Sequence, residues 1–147
     1  AIQMLPGAAA KKYAVVSYKP DEHFTRLRRR SYFLEVAILP KQVVFLDPDN
    51  GFEPAKCTEK HVKFGEIGIL LDRLPAETVV TVFQHHRRKK FPQDFCEIRQ
   101  KLPECHSTAI YWHSLMFVAL SRSDETLRNV RAFNAQYAAR KQIEVIA

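Results

Sequence analysis

Asp47 and Asp49 stand two residues apart in Asp47-Pro48-Asp49-Asn50-Gly51, directly behind the apolar run Val43-Val44-Phe45-Leu46. Paired carboxylates of this kind can hold a divalent cation, activate water, or accept a hydrogen bond from a ligand amine or hydroxyl. Gln84-His85-His86 follows a second apolar run, Thr78 to Phe83. A neutral imidazole such as His85 serves as a general base or a metal ligand near pH 7. A third polar cluster, Pro20-Asp21-Glu22-His23, comes after Tyr13 to Tyr18. Asp47, Asp49 and His85 are therefore the candidate catalytic residues, and Asn50, Glu22, His23 and Gln84 the candidate substrate- or cofactor-binding ones. Each has a plainer alternative. Asp, Asn and Gly are the commonest turn residues, so Asp47 can cap a turn that Asp49-Asn50-Gly51 builds. His23 can belong to the first turn of an ordinary helix, and Gln84-His85-His86 can simply end a strand before the solvated run Arg87-Arg88-Lys89-Lys90.

These clusters matter together only if the elements before them are strands of one sheet. Residues 13–18, 42–46 and 78–83 are short runs rich in strand formers, and the unalternating Val43-Val44-Phe45-Leu46 suits a strand buried on both faces. Helical spacing of apolar residues is found from about Glu22 to Ile38, from Glu66 to Leu74, and from Pro92 to Leu102. Ala109 to Leu120 reads as one long strand or as two joined by a tight bend near His113-Ser114. Ser123, followed by Asp124 and Glu125, can cap a last helix. Lys60 to Phe64 is a short edge segment or a connection. Strands alternating with helices imply an α/β fold of three layers, a mostly parallel sheet with helices on both faces, Rossmann-like in kind. In such a sheet ligands bind beyond the carboxyl ends of the strands, where all three polar clusters fall. Residues 1–12 form a poorly defined N-terminal segment, and 13–147 a single domain.

The chain has 147 residues with 46% hydrophobic and 27% charged residues, an ordinary globular balance that argues against wholesale disorder. No apolar run approaches the roughly 18 residues a membrane span needs, and no signal-peptide pattern opens the chain, so no membrane association is expected. Cys57, Cys96 and Cys105 lack CxxC pairing and fit free thiols in a reducing cytoplasm. Twenty-three Lys+Arg against 16 Asp+Glu give a net charge of +7, which favours polyanionic partners, nucleic acid or nucleotide above all. The run 87–90 and the arginines at 26–30 are candidates for phosphate contact. The sequence sets no oligomeric state.

Two resemblances attach to Val43-Val44-Phe45-Leu46-Asp47-Pro48-Asp49-Asn50-Gly51-Phe52. With Tyr18-Lys19-Pro20-Asp21-Glu22 and Gln84-His85, this segment resembles a group of uncharacterised bacterial and phage proteins across residues 13 to 120. That group brings no established activity. Asp47-Pro48 is also similar to the strand-end Asp/Asn-Pro-Pro-aromatic motif of the amino-methyltransferases, with Asp49 and Asn50 in place of the second proline and the aromatic. This second resemblance implies a methyltransferase-like fold, S-adenosylmethionine as cofactor, and Asp47 orienting a target amine.

Three functions follow as expectations. The first is an enzyme of methyltransferase-like fold acting on a nucleotide or nucleic acid through the Asp-Pro-Asp-Asn loop. The second is a metal-dependent nuclease or phosphohydrolase in which Asp47 and Asp49 hold Mg²⁺ or Mn²⁺ and His85 or His23 acts as base. The third is a non-catalytic basic module that binds nucleic acid.

Overall fold

The structure, a computed structural model, describes residues 26–38, 43–141 and 143–147. The first strand expected at 13–18 and the cluster 21–23 lie outside the described residues. Among the described residues four helices and five strands follow in the order α1 (Arg26–Val36), β1 (Val43–Leu46), α2 (Phe64–Arg73), β2 (Val79–His85), α3 (Phe91–Lys101), β3 (His106–Trp112), β4 (Leu115–Ser121), α4 (Asp124–Lys141) and β5 (Glu144–Ile146). No helix among the described residues is long and apolar enough to cross a membrane.

The sheet corrects the expected three-layer, mostly parallel arrangement. Its strand order is β1-β2-β4-β3-β5. Among the described strands only β1 and β2 are parallel; β2–β4, β3–β4 and β3–β5 are all antiparallel. The cause is the link between β3 and β4. His113 and Ser114 close a two-residue hairpin in which His113 adopts φ 52°, the left-handed conformation that tight hairpin turns use. Parallel neighbours need a crossover of a dozen residues or more, whereas a hairpin can only reverse the chain. β4 therefore folds straight back and inserts between β2 and β3.

The two faces of the sheet are covered unequally. Val80, Val82, Met116, Val118 and Leu120 join Phe33 and Val36 of α1, Ile67 and Leu70 of α2, and Phe95 and Ile98 of α3 in the main core. On the other face Leu127 of α4 packs with Val79 and Ala119 in a small cluster, with Val130 beside them. The rest of that face is open around β1, where Val43 is 60% exposed and Phe45 44%. The expectation that β1 is buried on both sides is thus wrong, because β1 lies at the edge of the described sheet and α4 does not reach it. Trp112 is likewise 52% exposed at the end of the hairpin.

Local chemistry accounts for the helix boundaries. Ser123 Oγ accepts the Thr126 backbone N–H at 3.2 Å and so caps α4, with Asp124 and Glu125 in its first turn. α3 opens with Phe91-Pro92, a first-turn site where the missing proline N–H has no helical partner to lose. In α1 the inward residue is a surprise for an arginine-rich helix. Arg29 is buried, and its guanidinium donates through Nε and Nη2 to the two carboxylate oxygens of Glu66 in α2. Its remaining donors reach the carbonyls of Glu59, at 2.9 Å, and His61. Glu66 in turn accepts the Lys63 backbone N–H at 2.8 Å at the start of α2. A planar fork matched to a carboxylate can satisfy a buried charge in this way, and a point-charge ammonium cannot.

His61 belongs to the same connection. Its Nδ1 accepts the Thr58 N–H at 3.2 Å, and burial holds its pKa below the ordinary value. A depressed histidine value means that the stability tied to neutral His61 is complete above about pH 6.5 and is lost as the pH falls from there through the folded value. The His61→Asn variant should lack this loss, which urea titrations of both proteins between about pH 7.5 and 5 would read. Arg29→Met should lower the unfolding free energy by about 3–5 kcal/mol in the same assay, because it strands Glu66 in the interior. Glu66→Gln, which keeps an acceptor for Lys63, should cost less.

Candidate functional site

The segment leaving β1 is a loop stitched along its length. The Asn50 N–H donates to the Lys60 carbonyl at 3.0 Å, the Val62 N–H to Gly51 at 2.9 Å, and the Glu53 N–H to Val62 at 2.8 Å. Phe52 and Val62 form a parallel bridge. Phe52 is wholly buried and stacks on Phe64 with ring centroids 5.7 Å apart. Glu53 Oε1 accepts the Phe64 N–H at 2.7 Å, which ties the loop to the first residue of α2.

Gln84 holds this loop against β2. Its side chain is fully buried; Oε1 accepts the Phe52 N–H at 2.9 Å and Nε2 donates to the His85 carbonyl at 2.8 Å. Arg87 completes the brace by donating through Nη2 to the Phe52 carbonyl and, at 3.3 Å, to Gln84 Oε1. Gly51 passes directly over this amide with φ +88°, and a Cβ there would lie 2.3 Å from Gln84 Oε1. Both the backbone conformation and the space demand glycine at this one position.

Against this frame the candidates separate. Asp47, Asp49 and Asn50 are all exposed on the loop. The Asp49 carboxylate comes only within 3.9 Å of Lys60 Nζ, both side chains being largely in solvent. Gln84 meets the loop, as an internal strut rather than an open ligand contact. His85 does not join them. Side chains alternate along a strand, so Gln84 faces the main core with its partner Met116 while His85 turns to the opposite face. There its ring lies 4.5 Å from Phe83, which neighbours Phe117 at 5.3 Å, with Phe45 6.2 Å beyond. Glu22 and His23 lie outside the described residues. No group of three or more His, Cys, Asp or Glu able to hold a metal ion occurs among the described residues, so Asp47 and Asp49 have no third ligand there.

The basic run also divides. Arg87 is half-buried, braces the loop, and lies 3.7 Å through Nη1 from Asp94 Oδ1. Lys89 pairs with Glu97. Arg88 and Lys90 remain exposed. Among the arginines at 26–30, Arg29 is likewise committed inside. Sequence reasoning missed Asp94, a buried carboxylate in α3, although a signal existed. Asp94 falls on the apolar stripe Phe91, Phe95, Ile98, four residues before Ile98, where a charge is out of place. Burial pushes its carboxyl above the usual aspartate range, with Arg87 pulling the other way.

Comparison with protein-family models, with curated proteins and with solved structures finds no match to this chain.

The brace makes a quantitative claim. Gly51→Ala should destabilise by about 2 kcal/mol or more, from backbone strain and the clash with Gln84. Gln84→Leu should cost about 1–3 kcal/mol by leaving the Phe52 N–H without its acceptor. Because both act on one contact, the double variant should lose less than the sum, as denaturant unfolding of all four proteins would reveal.

Proposed function

We propose that the protein is an enzyme acting on a nucleotide or nucleic acid, and that the loop Asp47-Pro48-Asp49-Asn50 is its substrate-contacting element. One observation carries this. The loop is braced from beneath by Gln84 and Arg87, while Asp47, Asp49 and Asn50 are exposed and Asp49 makes only a solvated 3.9 Å approach to Lys60. Rigid presentation of acceptors is what recognition of amino and hydroxyl groups needs. In this reading Asp47 orients a substrate amine, and Asp49 or Asn50 takes a sugar hydroxyl. Arg88 and Lys90 supply phosphate contacts, in keeping with the net charge of +7. The half-open face carrying Phe45, Phe83, Phe117 and His85 adds aromatic surface on which bases stack. The three free cysteines suit a reducing compartment, and we assign the protein to the cytoplasm on that ground.

Fluorescence anisotropy with labelled single-stranded oligonucleotides across a salt series tests the proposal. The Arg88→Ala/Lys90→Ala variant should bind at least tenfold more weakly, and its log K against log salt should be shallower by about 1.4, two phosphate contacts at roughly 0.7 each. Asp47→Asn should keep overall affinity but shift preference among homopolymers at least threefold. An unchanged preference would leave only a passive basic module. Absence of binding at low salt would remove nucleic acid as the substrate.

A further inference from the structure

A cleft of about 660 Å³ lies between the loop segment Glu53-Pro54-Ala55 and the side of α3 that bears Asp94, Glu97, Ile98 and Lys101. Its size falls within the roughly 300–1,000 Å³ typical of small-ligand sites. Most of its charges are already spoken for. Glu97 pairs with Lys89 at the cleft, Glu53 holds the Phe64 N–H, and Arg87 holds the Phe52 carbonyl. Asp94 is different. The residue is 3% exposed, its Oδ1 lies 3.7 Å from Arg87, and its Oδ2 has no hydrogen-bond partner at all. A buried acceptor left unpaired is costly, and native interiors rarely keep one without a reason.

The surroundings narrow the ligand. Three acids and three bases line the cleft, so its charges balance and no net field selects an ion. Phe64, held by its stack on Phe52, and Ile98 provide apolar walls. The unpaired Asp94 Oδ2, shielded from solvent in this structure, is an acceptor that a turn of the carboxylate brings to the cleft, and Arg87 keeps Nη1 beside it as a donor; this adjacent pair matches the hydrogen-bonding edge of a nucleobase. We propose that this cleft binds a single nucleobase, with its ring along Phe64, its N–H edge on Asp94 and its ring acceptor toward Arg87. This rests on the nucleotide-directed reading above and narrows it to a second subsite, apart from the exposed Asp47–Asn50 tips. About 10.5 Å of helix axis separates Asp94 from Lys101 at 1.5 Å per residue, so Lys101 lies where a phosphate attached to the bound nucleoside can be met.

Uncharged nucleosides separate this subsite from the salt-dependent oligonucleotide surface. Adenosine, guanosine, cytidine and uridine would be titrated individually into the isotope-labelled full chain, followed by amide shift changes. At least one nucleoside should bind, with affinity unchanged between 50 and 300 mM salt (roughly a halving of the screening length) and with shift changes concentrated at residues 53–55, 64 and 87–101. Asp94→Asn should weaken that binding at least tenfold, whereas Asp72→Asn, an exposed change near the end of α2, should leave it unaltered. Loss of oligonucleotide binding with nucleoside binding intact would overturn the loop's role and not the cleft's. Failure of all four nucleosides to bind the wild-type chain, shifts mapping elsewhere, or equal affinity in a folded Asp94→Asn variant would each overturn the nucleobase subsite. Should that variant not fold, the shift map of the wild-type chain alone decides.

Discussion

Arg29 reaches from α1 into the space beneath the 59–63 connection and meets Glu66 with both arms of its guanidinium, while the carbonyls of Glu59 and His61 take its other donors. Three pieces of chain that share no backbone hydrogen-bond ladder, α1, the connection and α2, are thereby held in one arrangement. Burying a guanidinium and a carboxylate is costly unless nearly every donor and acceptor is satisfied, and here the geometry satisfies them. Such a pair adds little stability over an apolar contact of the same volume. What it adds is definition, since a fork-shaped donor set accepts few alternative positions. The connection so positioned then supplies Lys60 and Val62, the residues to which Asn50, Gly51 and Glu53 are hydrogen-bonded.

The loop behind β1 is consequently fixed from two sides. Behind it stands the 60–62 segment held by Arg29. Beneath it lies Gln84, whose amide fills the space a side chain at Gly51 would need. A glycine with positive φ, a buried amide and a half-buried arginine form one interlocking unit, in which the Gln84 amide and Arg87 Nη2 are committed to the loop while Arg87 Nη1 turns toward Asp94. The groups this unit displays are Asp47, Asp49 and Asn50 above it, with Asp94 beside Arg87. Arg87 connects the two regions, because one nitrogen of its guanidinium braces the loop while the other approaches Asp94.

Charge is distributed by the same economy of partners. The excess of basic residues is not a uniform coat. Arg29 and Arg87 act inside the fold, Lys89 neutralises Glu97, and the outward surplus around the strand ends falls to Arg88 and Lys90. The opposite face of the sheet carries Phe45, Phe83 and Phe117 in an aromatic row, with Phe45 exposed and the other two half-buried, outside the cluster beneath α4. A basic edge beside aromatic surface is the combination from which binding to single strands is commonly built.

Periodicity made the local elements legible. The stripe Ile67, Leu70, Leu71 and Leu74 marked α2, Phe95, Ile98 and Leu102 marked α3, and Thr78 to Phe83 marked β2. The bend at His113-Ser114 and the Ser123 cap also follow from residue chemistry, because turns and caps are made by near neighbours. β5 escaped notice, being three residues long and held by pairing to β3. Strand direction escaped it too, since an apolar run looks the same whichever way its neighbour points, and a two-residue hairpin turned the expected parallel sheet into a mixed one. Alternation along β2 says that Gln84 and His85 must face opposite ways, but only the register with β4 decides which enters the core. Likewise the types of Arg29, Gln84, Arg87 and Asp94 are plain in the chain. That they are interior struts and an unpaired acceptor depends on partners 37, 32, 35 and 7 residues away, and such pairings exist only once the sheet and helices have closed on one another.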